Sequence, residues 1–304
     1  MKFGLQIYSF TWPGGAEAIG PTLSRVVRSA DEAGFDSIWV MDHFWQIGGP
    51  DSEFQPMLEG WTTLGFMAAH TQRARLGLMV GGVHYRNPGL WVKAATTLDV
   101  LSGGRAWLGL GAGWNRAESV GLGFPFPETK VRFEMLEDSL EIAHRMFEGE
   151  RGTEASFSGR QFTAERLLNA PQSISRPRVP IMIGGGGEKK TLRLVARYAD
   201  ASNLFGGPDQ LRNKYRILAG HCEAVGRPYE EIERTTLQSV NLFSGNVWRA
   251  SSESTGQLVD RFGRLADAGV QQVIINTADV HHPDAIPLLA TEVMPQLRQS
   301  ASRR

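Results

Sequence analysis

Short apolar runs alternate with longer amphipathic segments along the whole sequence, and this alternation constrains the fold more than any other feature. FGLQIY opens the series as a predicted strand, and GPTLSRVVRSADEAGF follows with the spacing of a helix. The series ends in the predicted strand VQQVIINTA and the predicted helix PDAIPLLATEVMPQL. Strands separated by helices favour parallel pairing through right-handed crossovers. Eight such pairs predict an α/β fold, a (β/α)8 TIM barrel, with a doubly wound open sheet as the alternative.

An insertion accounts for most of the length beyond a minimal barrel. It occupies about 151–178, before the fifth predicted strand, and contains TEASFSGRQFTAE. This stretch is typical of a β-hairpin that turns at Ser158-Gly159. No low-complexity segment or linker divides the sequence, so we expect a single domain over 1–304.

The overall charge and the cysteine content exclude several classes of partner. Basic and acidic residues number 32 each, so nothing favours nucleic acid or a membrane surface. The lone Cys222 excludes an internal disulfide and suits a reducing compartment. The sequence opens without the pattern of a signal peptide and has no run of roughly 20 apolar residues. We therefore expect a cytoplasmic protein.

A run of four glycines, 184–187, connects the fifth predicted strand to a helix that we expect to begin near Lys189. In a barrel, ligands bind on the loops that follow the carboxyl ends of the strands. Backbone N–H groups converge at a helix N-terminus and there favour a phosphate. Glu188 and Thr191 could add side-chain contacts. A tight packing turn with nothing bound is the alternative, because glycine permits turns that other residues cannot form.

Asp42 and His43 end the second predicted strand, directly before Phe44 and Trp45. A histidine at this position could give or take a proton near neutral pH, while the aspartate orients it or binds a cofactor. A buried histidine hydrogen-bonded to the barrel rim is the alternative. The sequence has no HxxxH, HExxH or CxxC motif, so we expect no bound metal. It also lacks the paired strand-end carboxylates of a glycosidase and the GxSxG turn of a hydrolase.

Four segments together carry a resemblance that runs over most of the chain. They are AGFDSIWVMDHF, the Arg-Asn-Pro after the third strand, LDVLSGGRAWLGLGAGWNRAE and PIMIGGGGEKKTLRLVARYADASN. With them the sequence resembles the luciferase-like monooxygenase superfamily, and within it the branch of oxidoreductases that use coenzyme F420, a deazaflavin. The resemblance implies a (β/α)8 barrel with the insertion, a flavin or deazaflavin at the carboxyl end of the barrel, and a homodimer.

The resemblance also implies which residues contact the cofactor. The loop after the fifth strand corresponds to the phosphate site, and the Asp-His pair corresponds to a contact with the ring. A non-prolyl cis peptide is implied at Met79-Val80, behind the ring, and the loop after the fourth strand corresponds to 112–115. The implied cofactor-binding residues are Asp42, Met79, Val80, Gly81, Ala112, Gly113, Asn115, Gly185, Gly186, Gly187, Glu188 and Thr191.

One position departs from the resembled family. Where sugar-phosphate dehydrogenases of this branch have a catalytic Glu, this sequence has Trp114. The departure argues against a charged sugar as the substrate and leaves His43 as the obvious proton donor. We expect a more apolar pocket, for an apolar or conjugated carbonyl compound. Its expected lining residues are Tyr8, Trp45, Trp114 and Phe205.

The sequence leaves three functions open. The first is a coenzyme F420-dependent oxidoreductase that moves a hydride between C5 of the deazaflavin and a small substrate, with His43 as the catalytic residue. The second is an FMN-dependent monooxygenase that receives reduced flavin from a separate reductase and uses O2. The third is a flavin-binding protein without turnover. A deazaflavin tail would favour cations such as Lys189, Lys190 and Arg193, but a solvated helix face explains them equally well.

Overall fold

Eight parallel strands close into a barrel in the computed structural model, which describes residues 1–243 and 252–301. Each strand pairs with its neighbours in chain order, and the eighth pairs with the first, where Gln6 lies opposite Asn276. This closure confirms the (β/α)8 barrel and excludes the open sheet. The strands are β1 Lys2–Ile7, β2 Ser37–Val40, β3 Arg75–Leu78, β4 Ala106–Gly111, β5 Ile181–Gly184, β6 Ala201–Leu204, β7 Glu233–Ser239 and β8 Gln272–Asn276.

Helices surround the barrel, and four of those described begin after a residue whose side chain caps the first turn, namely the second, third, fourth and eighth in chain order. The third helix begins with Pro88, and the side chain of Asn87 accepts a hydrogen bond from the N–H of Gly89 at 2.9 Å. None of the helices in the described part of the chain is long and apolar enough to cross a membrane. The helices are α1 Gly15–Glu32, α2 Gly60–Ala69, α3 Pro88–Leu101, α4 Arg116–Gly121, α5 Thr129–Met146, α6 Thr191–Tyr198, α7 Pro208–Val225, α8 Thr255–Asp267, α9 Ala285–Leu288 and α10 Met294–Ala301.

Alternate strand residues contribute to two apolar cores. In β2, Ile38 and Val40 pack in the main core with side chains of the surrounding helices, whereas Trp39 belongs to a smaller core. This division follows from the period of two along a strand, which sends successive side chains to opposite faces. The smaller core contains Trp39, Met79, Trp107, Met182, Ala201 and Ile274.

The insertion before β5 contains two short antiparallel ladders. Gly152–Thr153 pairs with Leu167–Leu168, and Phe157–Ser158 pairs with Thr163–Ala164. Within the second ladder, the N–H of Gly159 donates to the carbonyl of Phe162 at 2.9 Å. The predicted hairpin is therefore confirmed, but its turn spans 159–162 and not Ser158-Gly159, because Ser158 pairs with Thr163.

Three predicted elements differ from the structure. The third predicted strand is interrupted: β3 ends at Leu78, the Met79-Val80 peptide is cis as the resemblance implied, and pairing resumes at Gly81–Gly82. The helix after the glycine run begins at Thr191 rather than near Lys189, because residues 188–190 form a turn. The last predicted helix is broken into α9 and α10 by a π-helical segment, Leu289–Val293.

Candidate active site

Two cavities lie side by side at the carboxyl ends of the strands. The first, here called the glycine-lined cavity, has a volume of about 330 Å³ and is bordered by glycines that follow β3, β4 and β5. The second, here called the inner cavity, has about 370 Å³ and lies over β1, β7 and β8. A larger cavity of about 650 Å³ lies at the opposite end of the barrel, beside Lys2 and Arg75. In this fold the chemistry occurs at the carboxyl end, so the two adjacent cavities form the candidate site.

Four side chains border both of these cavities: His43, Met79, Trp114 and Phe205. Trp114 and Phe205 are 64% and 66% exposed, which places large aromatic surfaces at the mouth of the site. The ring of His43 meets the ring of Trp114 edge to face, with 5.4 Å between the centroids. A group bound in either cavity therefore lies next to His43.

Glu118 holds His43 in place. One carboxylate oxygen of Glu118 lies 2.8 Å from Nδ1 of His43 and accepts from the Tyr85 hydroxyl at 2.6 Å, while the other accepts from the backbone N–H groups of Phe44 and Trp45. Burial would raise the pKa of this fully buried carboxyl group. The hydrogen bonds from His43, Tyr85 and Trp45 outweigh it, and the pKa of Glu118 is lowered.

The ionised Glu118 fixes the tautomer of His43. A carboxylate only accepts hydrogen bonds, so Nδ1 of His43 carries a proton and Nε2 is the ring nitrogen left for the cavities. A second histidine, His84, is 4% exposed, and its Nε2 lies 2.8 Å from the hydroxyl of Ser119. Burial, followed by the charge of Arg132, lowers the pKa of His84 to about 4, so His84 is neutral at physiological pH.

Asp42 borders neither cavity, although it precedes His43 in the chain. Nη1 of Arg86 lies 2.9 Å from its carboxylate, and the N–H of Gly82 donates to it at 3.1 Å. Arg86 also binds Glu59 at 2.7 Å. Burial raises the pKa of Asp42 to about 7, against the opposing effect of Arg86. The structure thus pairs His43 with Glu118 rather than with Asp42, and a contact between Asp42 and the cofactor stays a prediction.

Two glycines at the end of β5 and in the loop after it resist substitution. Gly185 has a φ of 118°, a conformation that side chains rarely adopt, and a Cβ atom on Gly184 would lie 2.6 Å from the side chain of Val80. Gly185 and Thr191 border the glycine-lined cavity. Gly186, Gly187 and Glu188 are exposed and do not border it. Glu188 instead forms an ion pair with Lys214 at 2.7 Å.

The other predicted site residues divide in the same way. Met79, Val80, Gly81, Ala112 and Gly113 border the glycine-lined cavity, and Tyr8 borders the inner cavity. Asn115 caps α4, where its side chain accepts from the N–H of Glu118 at 3.3 Å. The ring of Trp45 packs on Gly121, and its backbone N–H binds Glu118, so Trp45 borders neither cavity. Its place in the sequence next to His43 did not reveal this orientation.

Arg132 on α5 was not singled out by its sequence position, although it borders the glycine-lined cavity. It is 8% exposed, and its guanidinium donates to the carbonyls of Ala112 and Pro127 and to the hydroxyl of Thr129. All three acceptors are neutral, and among the described residues Arg132 has no acidic partner within ion-pair distance. A buried cation without a counter-ion favours an anionic ligand at this position. The apolar periodicity of α5 does not distinguish Arg132 from the other polar positions of the helix.

The described ranges 1–243 and 252–301 contain no cluster of three or more His, Cys, Asp or Glu side chains that could hold a metal ion. A glycine-lined wall that leaves room for a flat ligand, together with an uncompensated Arg132, fits an organic cofactor that carries a phosphate. His43 and the inner cavity then lie on the other side of that ligand's site. This arrangement can bring a cofactor, a proton donor and a second small molecule together.

Comparison with known proteins finds similar sequences and a shared fold. The F420-dependent glucose-6-phosphate dehydrogenase of Nakamurella multipartita is 36% identical over 63% of this chain and 54% of that protein, so the match spans about half of that relative. The protein of the same name from Microbacterium testaceum is 31% identical, over 77% of this chain and 67% of that protein. The coenzyme F420-dependent tetrahydromethanopterin reductase of Methanopyrus kandleri shares the fold, with a TM-score of 0.79, 17% identity and coverage of 97% and 98% of the two chains.

A family model gives the broadest of these matches. The model described as luciferase-like monooxygenase matches residues 1–271, which include the first seven barrel strands and every residue that borders the two cavities except Asn276 on β8. A match over most of the chain shows descent from the family, whereas the substrate depends on side chains that differ between its members. The chain therefore belongs to the luciferase-like monooxygenase family.

Proposed function

We propose that the protein is a coenzyme F420-dependent oxidoreductase that interconverts a neutral carbonyl compound and its alcohol. The observation that carries the proposal is the position of His43, which borders both cavities while Glu118 holds its Nδ1 at 2.8 Å. The relatives named F420-dependent dehydrogenases support this choice of cofactor. The bound cofactor supplies a hydride at C5 when reduced, or accepts one when oxidised.

The glycine-lined cavity would hold the cofactor. Gly81, Ala112 and Gly113 provide a wall with little side-chain bulk, against which a planar ring system can lie. Gly185 and Thr191 border the same space, so a phosphate there meets the N-terminal end of α6. Arg132 adds the positive charge that a phosphate requires.

His43 would move the proton. When a carbonyl group is reduced, its carbon gains the hydride and its oxygen gains a proton from Nε2 of the imidazolium form of His43. In the reverse direction Nε2 takes the proton of the alcohol. The buried negative charge of Glu118 stabilises the imidazolium that either direction requires, as a charged partner close to a general acid does. Tyr8, whose pKa is raised to about 12 by burial and by Asp279, stays neutral beside it.

The inner cavity would hold the substrate. Its described lining has no Lys, Arg, Asp or Glu, and most of its surface comes from apolar and aromatic side chains. None of these residues would pair with the charge of a phosphorylated sugar. Burial of such an unpaired charge costs free energy. The lining therefore supports a neutral substrate, although the relatives from Nakamurella multipartita and Microbacterium testaceum are named for glucose 6-phosphate.

Fluorescence titrations of the purified protein with coenzyme F420 and with FMN test the proposal. Trp114 borders both cavities, so a ligand in the glycine-lined cavity should quench its emission. Tighter binding of coenzyme F420 is expected. A preference for FMN would instead favour the two-component monooxygenase with a partner reductase, and the absence of binding for both would overturn the proposal.

Turnover separates an enzyme from a protein that only stores its cofactor. His43→Ala should lower the turnover of neutral ketones by about 100-fold, while the affinity for the cofactor stays within about threefold of the wild type. Equal turnover in both proteins would leave His43 without a catalytic role. A cytoplasmic location, a homodimer and a single domain over 1–304 remain predictions.

A further inference from the structure

Tyr8 carries a hydroxyl group for which the proposed proton transfer has no use. The residue follows directly after β1 and borders the inner cavity. Its backbone carbonyl accepts from Nε2 of Gln46 at 2.9 Å, whereas its hydroxyl has no hydrogen-bond partner within 1–243 and 252–301. Folded proteins leave few polar groups of buried residues unpaired, so a free hydroxyl beside a cavity points to a ligand group that pairs with it.

A second tyrosine shows that the hydroxyl of Tyr8 is open to such a ligand. Tyr8 and Tyr215 are both 4% exposed, and neither hydroxyl is paired in the described part of the chain. The hydroxyl of Tyr215, on α7, is completely buried, whereas that of Tyr8 retains accessible surface. Because the inner cavity is the space that Tyr8 borders, its hydroxyl is accessible from that cavity.

The hydroxyl of Tyr8 stays protonated at physiological pH. Burial, followed by the negative charge of Asp279, raises the pKa of Tyr8 to about 12. A neutral phenol donates one hydrogen bond, and a carbonyl oxygen only accepts. The free hydroxyl is therefore complementary to the oxygen of a carbonyl compound.

Tyr8 and His43 reach the inner cavity from neighbouring strands. β1 pairs with β2, with Ile7 opposite Val40, so Tyr8 and His43 follow one and three residues after this pair. Paired strands lie about 4.8 Å apart. Gln46, in the loop that contains His43, fixes the two segments to each other through its hydrogen bond to the carbonyl of Tyr8. One carbonyl oxygen, with its two lone pairs, can accept from both side chains.

We infer that Tyr8 is a second catalytic residue, whose hydroxyl donates a hydrogen bond to the carbonyl oxygen that His43 protonates. On reduction the carbonyl carbon gains the hydride, the π electrons of the carbonyl bond move to the oxygen, and the oxygen takes the proton of His43 Nε2. Tyr8 keeps its own proton and stabilises the negative charge while it develops. The inference rests on the proposed function in one respect, that a carbonyl compound reacts in the inner cavity.

Tyr8→Phe removes the hydroxyl, keeps the ring and tests the inference with cyclohexanone as the probe. Because His43 neutralises part of the developing charge, kcat should fall by about 30-fold, somewhat less than for a donor to a fully charged oxyanion. One neutral hydrogen bond contributes little to ground-state binding, so KM should rise by no more than about fivefold. The Kd for coenzyme F420 should not change. An unchanged kcat, or a loss confined to KM, would overturn the inference.

Two further variants are the matched controls. Tyr215→Phe removes the same atom from an equally buried tyrosine on the outside of the barrel, and it should leave kcat unchanged. Ser239→Ala removes the other hydroxyl in the described lining of the inner cavity. Ser239 lies on β7, which β8 and β1 separate from β2, so kcat should fall by less than about threefold. Equal losses in Ser239→Ala and Tyr8→Phe would overturn the assignment to Tyr8.

The outcomes separate this inference from the proposed function. If coenzyme F420 binds and both the wild type and Tyr8→Phe reduce cyclohexanone at the same rate, the function stands and the role of Tyr8 is refuted. If coenzyme F420 does not bind, or no ketone is reduced, the proposed function fails. Calorimetric titration of cyclohexanone into the protein without cofactor then tests the contact itself, because Tyr8→Phe should raise the Kd about fivefold. Equal Kd values, or no binding to the wild type, would refute it.

Discussion

Two clusters of buried charge lie at the carboxyl end of the barrel, and they treat their carboxylates in opposite ways. Asp42 has one cation, Arg86, and one backbone N–H donor, and burial raises its pKa to about 7. Glu118 receives four donors, and its pKa is lowered. At Glu118 the hydrogen bonds to the charged form outweigh the effect of burial, whereas at Asp42 burial outweighs the effects of Arg86 and Gly82.

The clusters also differ in whether their charges are matched. Arg86 binds Asp42 and Glu59, so the first cluster is complete without a ligand. In the second cluster, Arg132 donates hydrogen bonds to neutral acceptors only. One ring nitrogen of His43 binds Glu118, and the other is directed to the cavities. Residues next to each other in the chain, Asp42 and His43, thus belong to different clusters. The matched cluster supports the end of β3, and the unmatched one is suited to bind and react.

The largest expected effect comes from removing the charge of Glu118. Glu118→Gln keeps the shape but cannot stabilise the imidazolium of His43, so kcat for a neutral ketone should fall by up to about 100-fold, the loss expected of His43→Ala. The Kd for coenzyme F420 should stay within about threefold. Asp42→Asn makes the same chemical change in the other cluster and should lower kcat by less than about tenfold. Steady-state rates and cofactor titrations on both variants would contradict the comparison if the two losses were equal.

Replacing each of the two buried arginines, Arg86 and Arg132, should change a different property: stability in one case and cofactor affinity in the other. Arg86→Met leaves Asp42 and Glu59 without their cation, and the free energy of unfolding should fall by about 3 kcal/mol. Arg132→Met breaks no ion pair of the described residues, so its main effect should be a Kd for coenzyme F420 that rises about tenfold or more. Urea unfolding and cofactor titration of both variants provide the measurement. A large loss of stability in Arg132→Met would show that this cation has a structural role.

The pH dependence of stability should also separate the clusters. The folded state keeps a proton on Asp42 up to about pH 7 that the unfolded chain has lost, so the contribution of Asp42 to stability falls as the pH rises. Between pH 5 and 8, Asp42→Asn should gain roughly 2.5 kcal/mol relative to the wild type. The lowered pKa of Glu118 has the opposite sign: its contribution is present above the ordinary pKa and is lost as the pH falls through the lowered value. Glu118→Gln should therefore keep the fall in stability that Asp42 causes between pH 5 and 8, and equal slopes for the wild type and Asp42→Asn would contradict the assignment.

The smallest expected effect concerns the loop after β5, which borders the glycine-lined cavity. Gly185→Ala forces a side chain into a φ of 118° and should lower the free energy of unfolding by about 1 kcal/mol. The nearest atoms to a Cβ on Gly186 are 3.9 Å away, so Gly186→Ala should be close to neutral. Urea midpoints would show the difference. Equal costs at the two positions would mean that the backbone of this loop adapts freely.

Local patterns in the sequence were sufficient to predict which strand ends form the site. The positions of His43, Trp114 and Gly185 followed from the end of a strand, because every parallel strand of a barrel presents its carboxyl end to the same face. The same reasoning did not show that Trp45, Asn115 and Glu188 border neither cavity. Each lies in the expected loop, but the ring of Trp45 packs on Gly121, Asn115 caps α4 and Glu188 pairs with Lys214.

Side chains that reach the site from distant segments of the chain could not be predicted in this way. Glu118 lies 75 residues from His43 and within a short helix, α4, that the sequence did not predict. Arg132 occupies one of many polar positions on α5. Nothing in the local period distinguishes these residues from solvated neighbours, because their role depends on a contact with a distant segment.

By itself the sequence determined the eight strand–helix pairs, the inserted hairpin and the end of the barrel that carries the site, since periodicity and glycine placement act over a few residues. Only the tertiary structure decided the pairing of His43 with Glu118 and of Gln6 with Asn276, which are 75 and 270 residues apart. The closure of the barrel brings these side chains together. Their chemistry then follows from burial and from the donors that each acceptor receives, and both are properties of the packed chain.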